Sequence, residues 1–268
     1  MARFPFLIIQ LIALLVVVAP AAAEWRELEP GLELGSFAGP SDERLLVKVV
    51  RLDPSLWEPV LLSTSAEGEG ELHSVRDWCR SHGMVAGINA SMFQTDYRTS
   101  VSLLRDRHHV NNAFVSKDNT VLAFDPLVEG VPPVRIIDRT CDDFATERAH
   151  YGTLVQSIRM ISCHGNNVWS PQNRKYSTAC IGVDSQGRVL LIHCRRPLPT
   201  FDMINLLQAL PLDLDRCMYV EGGPEAQLYV EAGGVAEEHV GSFETGFLEN
   251  DLNQMGWPVP NVVAFRRR

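Results

Sequence analysis

A carboxylate followed by two glycines lies between two strand-like segments in the C-terminal part of the chain. Residues 217–220 (CMYV) are apolar, and Glu221, Gly222 and Gly223 come directly after them. A side chain at the end of a strand is held by a rigid scaffold and can still reach a ligand, and glycines let the backbone approach that ligand closely. The segment therefore predicts a catalytic corner with Glu221 as its acid. The alternative is an ordinary glycine turn in which Glu221 is solvated.

A second polar residue follows an apolar strand in the first half of the chain. Residues 84–88 lead into Asn89, and the preceding residues 73–82 have the apolar spacing of a helix. The same order precedes Glu221, where residues 200–210 have helical spacing. The amide of Asn89 offers donors and an acceptor, which suits sugar hydroxyls or a phosphate oxygen. The alternatives are a plain turn residue and an acceptor for N-glycosylation, because an Asn-Ala-Ser sequon begins here.

Three separated segments carry a resemblance to a known family. They are GINASMF (87–93), STACIGVDSQGRVLLIHC (177–194) and VEGGPEAQL (220–228). Their order and the strands between them resemble the phosphodiester glycosidase family over residues 72–230. The resemblance implies a hydrolase that acts on a carbohydrate or sugar-phosphate substrate and cleaves a sugar 1-phosphodiester at the anomeric carbon. Negative charge close to that carbon stabilises the positively charged transition state, and the resemblance assigns this role to Glu221.

The three segments depart from the family pattern at several positions. Glu221 stands where the family commonly has Asp, Pro224-Glu225 replaces Gly-Ser, and Thr178 replaces the Arg that opens the Ile-Gly strand. A guanidinium for the substrate phosphate must then come from elsewhere in the chain. Arg159 is our candidate for it, with an ordinary surface cation as the alternative. Glu225 is either the second member of a carboxylate pair or a residue that faces solvent.

Further polar residues at family-like positions are predicted to bind substrate. They lie near the ends of predicted strands, where the mouth of the site is expected. Asn89 and Arg159 are predicted to act with Glu221 as catalytic residues. The predicted substrate-binding residues are Gly222, Gly223, Glu225, Asn111, Asn112, Gln156, Thr178, His193 and Arg195. For His193 the alternative is a structural hydrogen-bonding role.

The departures leave two other functions open. One is a non-catalytic envelope glycan-binding protein on the same fold. The other is a hydrolase of a different glycosidic bond, which would require Glu221 and Glu225 to converge on one site.

The N-terminal residues have the features of a signal peptide. Arg3 supplies a positive charge, residues 4–18 are almost wholly apolar, and residues 21–23 are small. The apolar run is shorter than the roughly 20 residues that a spanning helix needs. We therefore expect a cleaved signal at 1–23 and a phosphodiester glycosidase-like domain at 24–268. The protein is then expected to be periplasmic or secreted and to have no integral membrane association after cleavage. The alternative is that the segment is retained as a membrane anchor.

Charge and ligand spacing limit the possible partners. The net charge is −9, which would repel nucleic acid and anionic lipid, so no nucleic-acid partner is expected. His108 and His109 lack a third ligand at a recognisable spacing, and no H-E-x-x-H motif occurs. The sequence therefore predicts neither a metal nor a cofactor. The six cysteines of an exported chain allow up to three disulfides, and we expect one or two.

Many strand-like segments and few helical ones recur along the chain. Apart from residues 73–82 and 200–210, only residues 141–150 give a weak helical signal. This pattern predicts an α+β fold, namely a single domain with a large mixed β-sheet core and a few flanking helices.

Overall fold

The computed structural model describes residues 24–40 and 42–268. Strands dominate these residues. In chain order they are β1 Glu24–Glu29, β2 Leu32–Gly39, β3 Asp42–Leu52, β4 Trp57–Ser63, β5 Ala86–Asn89, β6 Leu104–Arg105, β7 Val110–Asn112, β8 Thr120–Pro126, β9 Val134–Asp138, β10 Tyr151–Ile161, β11 Tyr176–Asp184, β12 Val189–Leu198, β13 Leu214–Gly222, β14 Gln227–Ala232, β15 Val235–Val240 and β16 Asn261–Arg267. The helices are α1 Val75–Ser81, α2 Phe144–Glu147 and α3 Thr200–Ala209, with 3₁₀ turns at Arg148–His150 and Gly223–Glu225.

The strands form two sheets. The larger has eleven strands, with the order β1-β2-β3-β12-β11-β13-β10-β6-β7 and with β8 and β9 joined to β10. The smaller has the order β15-β14-β5-β16-β4. Every ladder between these strands is antiparallel. β13 and β14 are consecutive in the chain but belong to different sheets, so the segment with Glu221 crosses from one sheet to the other.

The main hydrophobic core lies between the two sheets. Ile181, Leu191 and Val220 of the larger sheet pack there with Ile88 and Phe265 of the smaller one. Alternate residues of the strands point to opposite faces, so each sheet also has an outer apolar face that needs cover. Helices supply it, and the molecule therefore has the layer order helix, sheet, sheet, helix.

Each outer face has its own helix. Met203, Ile204 and Leu207 of α3 pack on the larger sheet. Trp78 and Cys79 of α1 pack on the smaller sheet. These helices occur where the apolar spacing predicted them, at 200–210 and 73–82, although α1 begins two residues later.

The fold-class prediction was wrong in two respects. The described chain is mostly β, with two sheets and three short helices, and its ladders are antiparallel where a mixed sheet was expected. Two helix-to-strand units had been recognised in the sequence, before Asn89 and before Glu221. They do not form parallel crossovers, because β5 lies between β14 and β16 in one sheet while β13 lies between β11 and β10 in the other. The weak helical signal at 141–150 forms only α2 and the following 3₁₀ turn.

Two of the six cysteines are paired in the described chain. Cys141 and Cys163 form a disulfide, and Cys79, Cys180, Cys194 and Cys217 are free and buried.

Within the described part of the chain no helix combines the length and the hydropathy needed to cross a bilayer. The predicted signal peptide, 1–23, lies outside the described residues.

Candidate active site

Glu221 lines a cavity of about 320 Å³ at the end of β13. We call this hollow the acidic cavity, because Glu244 also lines it. The remaining lining residues are mostly aromatic, apolar or uncharged polar side chains, and they include Met92, Ile158, Trp169, Gln172, Tyr176, Thr200 and Tyr219. Flat apolar rings with a few polar groups are the usual lining of a small-molecule site.

A β-bulge positions Glu221. In the pairing of β13 with β11, Ala179 is opposite Glu221 and Cys180 is opposite Tyr219, so Val220 is the extra residue. Bulges bend a strand and change the direction of the side chains that follow, and they are common beside active sites. After the bulge the backbone N–H of Gly222 donates to the Glu221 carboxylate over 3.1 Å.

The two glycines after Glu221 allow close packing around it. A Cβ on Gly222 would lie 2.1 Å from the Tyr219 hydroxyl, and a Cβ on Gly223 would lie 2.7 Å from a carboxylate oxygen of Glu244. Gly223 also has φ +66°, which disfavours any other residue. Both glycines therefore permit Tyr219 and Glu244 to approach the backbone beside the acid.

Three carboxylates influence one another at this corner. Burial, and then the charges of Glu225 and Glu244, raise the pKa of Glu221 to about 8. Burial and Glu244 raise the pKa of Glu225 to about 7. Burial also raises the pKa of Glu244, and Arg174 acts against that shift. Acids with such pKa values change protonation state near neutral pH, which is typical of catalytic groups.

Neither Glu244 nor Arg174 was predicted to lie at the site. Arg174 lines the acidic cavity and is its only cation among the described residues, whereas we expected Arg159 to supply a guanidinium here. Glu244 reaches the cavity through isolated bridges to Tyr176 and Leu248. It lies in an irregular segment with no strand or helix signal, so its sequence offered no means of finding it.

Asn89 lies at the end of β5 but does not line the acidic cavity. It is 1% exposed, and its side-chain oxygen accepts a hydrogen bond of 3.0 Å from the backbone N–H of Gln227. Its Nδ2 is buried and has no hydrogen-bond partner. Asn89 therefore ties β5 to the start of β14, just after the Glu221 corner. Its burial rules out a glycan on the folded chain.

Arg159 lines a neighbouring cavity of about 420 Å³ rather than the acidic one. Its Nη1 donates to both carboxylate oxygens of Asp138, at 2.7 and 3.0 Å. Burial would raise the pKa of Asp138, but hydrogen bonds from the backbone of Thr140 and Cys163, together with Arg159, hold it below its ordinary value. The predicted trio of Asn89, Arg159 and Glu221 is thus not gathered in one cavity.

Four of the other predicted residues make structural contacts. Asn111 donates to the hydroxyl of Ser65, and Asn112 donates to a backbone carbonyl. Gln156 is buried. Its side-chain oxygen accepts a hydrogen bond from the backbone N–H of Ser116, and its side-chain NH₂ donates to the carbonyl of Asp118. Thr178 is 1% exposed and pairs with Gly222 across the ladder. None of the four lines the acidic cavity.

His193 and Arg195 line a separate cavity of about 490 Å³ between β12 and β15. The His193 ring contacts the carbonyl of Ala226, and burial lowers the pKa of this histidine to about 3. Arg195 donates to the carbonyls of Val240 and Asn253. His193 is therefore neutral at physiological pH and, like Arg195, holds chain segments together at this position.

One cluster of metal-ligating atoms occurs in residues 24–40 and 42–268. It consists of Cys141, Cys163 and His164, but the two sulfurs are joined to each other. A disulfide offers no thiolate, so these residues do not fit a metal in this state.

The disulfide contributes to stability and positions Cys163 against Asp138, the carboxylate that pairs with Arg159. It closes a loop of 22 residues, and the N–H of Cys163 donates to Asp138. We expect Cys141→Ser to lower the free energy of unfolding by about 3 kcal/mol, because the unfolded chain gains the freedom of that loop. Urea unfolding measures this. A reductant should destabilise the wild-type protein by the same amount and leave the variant unchanged, and equal responses of the two proteins would contradict the prediction.

Comparisons with known proteins show the family and the fold. The family model for phosphodiester glycosidases matches residues 82–266. The catalytic domain of zebrafish N-acetylglucosamine-1-phosphodiester alpha-N-acetylglucosaminidase, solved in a form auto-inhibited by its pro-peptide, has a similar structure. Its TM-score is 0.66 at 12% identity, over 92% of this chain and 87% of that chain. A hypothetical protein from Synechocystis has a TM-score of 0.61 at 12% identity, over 94% of this chain and 64% of that one. Among curated proteins none matches the sequence.

Proposed function

Because this chain belongs to the phosphodiester glycosidase family, we propose that it hydrolyses a sugar 1-phosphodiester at the anomeric carbon, with Glu221 as the essential carboxylate. The observation that carries the proposal is the acidic cavity itself. There a strand-end carboxylate with a raised pKa lies among aromatic rings, with Arg174 at the same cavity. Both the acid and the cation that this reaction requires are therefore present in one hollow.

The roles follow from the charges that the reaction develops. The sugar ring packs against the apolar faces of Trp169 and Tyr219, whose centroids are 6.4 Å apart. Arg174 binds the phosphate, because a planar guanidinium can pair with two of its oxygens. Ionised Glu221 stabilises the positive charge at the anomeric carbon, as the nucleophile or as the base for water.

The phosphate leaves as a stable anion, so it needs little protonation. A single ionised carboxylate, Glu221, is therefore sufficient, and the neighbouring acids Glu225 and Glu244 adjust its pKa. Glu225 and Glu244 raise the pKa of Glu221, and a more basic carboxylate is a better base or nucleophile.

This assignment gives a pH prediction for the reaction rate. If the ionised form of Glu221 is the active one, kcat/KM should rise about tenfold per pH unit below pH 8 and level off above it. Initial rates on a glycosyl 1-phosphodiester from pH 5 to pH 9 measure this. A rate that instead falls through the same range would assign Glu221 the role of a general acid.

The location and the natural substrate are part of the proposal. The apolar N-terminal segment supports export to the periplasm or outside the cell. An enzyme there would meet envelope or extracellular glycans rather than sugar nucleotides, so the substrate is proposed to be such a glycan. Fractionation of cells that express the full chain would test the export, with the mature N-terminus determined by sequencing.

A panel of glycosyl 1-phosphodiesters tests the activity directly. The purified protein is incubated with members that differ in the sugar and in its anomeric configuration, and released sugar is measured. We expect multiple turnovers on at least one member. Binding of these compounds at micromolar Kd without any turnover would instead establish a glycan-binding protein on the same fold.

A further inference from the structure

The acidic cavity has a neighbour that shares one wall with it. Ile158 and Trp169 line both hollows. We call the second hollow the lysine cavity, because Lys117 lines it along with Arg159. Groups bound in the two hollows would therefore contact the same two residues.

Trp169 is held firmly in this shared position. Its ring N–H donates to the carbonyl of Arg159 over 2.8 Å, and its backbone N–H donates to the side chain of Asn167 over 3.0 Å. A tryptophan held through its backbone and through its ring N–H gives a rigid surface on which a sugar can pack. Trp169 is thus a fixed wall that two compartments share, namely the acidic cavity and the lysine cavity.

The two compartments differ in charge. The acidic cavity combines Glu221 and Glu244 with Arg174, whereas the lysine cavity combines Lys117 and Arg159 with Asp118. The Asp118 carboxylate is already bonded to the hydroxyls of Ser102 and Ser116. Because Asp138 neutralises Arg159, Lys117 is the cation of this compartment that has no carboxylate partner within the described chain.

Both cations of the lysine cavity retain donors for a ligand. Lys117 is exposed and forms no ion pair with any residue of the described chain. Arg159 uses Nη1 for Asp138 and Thr140, while its Nη2 forms no hydrogen bond within the described chain. An incoming anion would supply the acceptor that this guanidinium lacks.

We propose that the lysine cavity binds a second phosphate of the substrate, so that the substrate is a glycan with phosphodiesters in at least two successive units. This inference rests on the proposed function for the placement of the first phosphate at Arg174. The sugar unit between the two phosphates crosses Trp169. A substrate with one phosphodiester would fill the acidic cavity and leave the lysine cavity without an anion.

The inference is tested by binding rather than by turnover. The Glu221→Gln variant keeps ligands intact, and calorimetry compares a synthetic glycoside with one phosphodiester and its homologue with two. We expect the second phosphate to improve Kd by roughly tenfold, as one set of charge-assisted hydrogen bonds would. The further change Lys117→Ala should reduce this gain to about twofold, since only Arg159 then remains.

Lys175→Ala is the matched control. Lys175 is also exposed, its loss changes the net charge equally, and it lines neither cavity. It should leave the tenfold gain in place. Equal affinity for the two ligands, no binding of either, or a gain that survives Lys117→Ala would each overturn the inference. If the wild-type protein binds both ligands with the expected gain but releases no sugar, the proposed function fails and the two-phosphate site stands.

Discussion

Glu221→Gln is expected to lower kcat on a glycosyl 1-phosphodiester by roughly 10³-fold, as the loss of a group that stabilises transition-state charge does. The amide has nearly the shape of the acid and can still accept a hydrogen bond from the N–H of Gly222. It cannot carry the negative charge that the anomeric carbon requires. KM should change little, because the charge is needed in the transition state rather than in the bound substrate. Steady-state kinetics of purified wild-type and variant protein measure both parameters.

Two companion variants make this result specific. Glu221→Asp keeps the carboxylate on a shorter side chain and should retain more activity than the amide. Glu129→Gln removes an acid from an exposed position outside the acidic cavity and should leave kcat unchanged. Full turnover by Glu221→Gln would show that another group is essential, and Glu225 and Glu244 are then the next acids to replace.

The sequence predicted the local features of this fold better than its assembly. Helix α3 and the strands before Asn89 and Glu221 occur where the pattern of apolar residues placed them, since that pattern reflects burial. β10 has no alternating sequence pattern, although it pairs with three strands and contributes Ile158 to both cavities. Its residues are buried on both faces over most of its length and therefore show no alternation.

The same limit applies to the candidate site. Glu221 could be identified because its acid, its glycines and the preceding strand are contiguous in the sequence. Arg174 and Glu244 reach the cavity from separate irregular segments, and only the folded chain brings them together. Arg159 was predicted to bind the phosphate, but the sequence does not reveal that it pairs with the buried Asp138. Long-range convergence of loops leaves no periodic signal in a single sequence.

The Glu221→Gln variant is also expected to be more stable than the wild-type protein in alkaline solution. The pKa of Glu221 is about 8 in the folded chain and about 4.5 when the chain is unfolded. The folded state therefore holds this proton more tightly, and its stabilising effect is complete below pH 4.5 and is lost as pH rises through 8. At pH 9 the difference in the free energy of unfolding should be on the order of 4 kcal/mol in favour of the neutral amide.

Urea unfolding of both proteins between pH 5 and pH 9 tests this expectation. The wild-type free energy of unfolding should decline across the range. The variant should decline less, with a residual slope from Glu225, whose pKa of about 7 is also raised. Glu129→Gln again serves as the control, and its pH curve should follow that of the wild type. Parallel curves for wild type and Glu221→Gln would mean that the charge of Glu221 is well solvated in the folded protein. In that case the acid would lack the raised basicity on which its catalytic role depends.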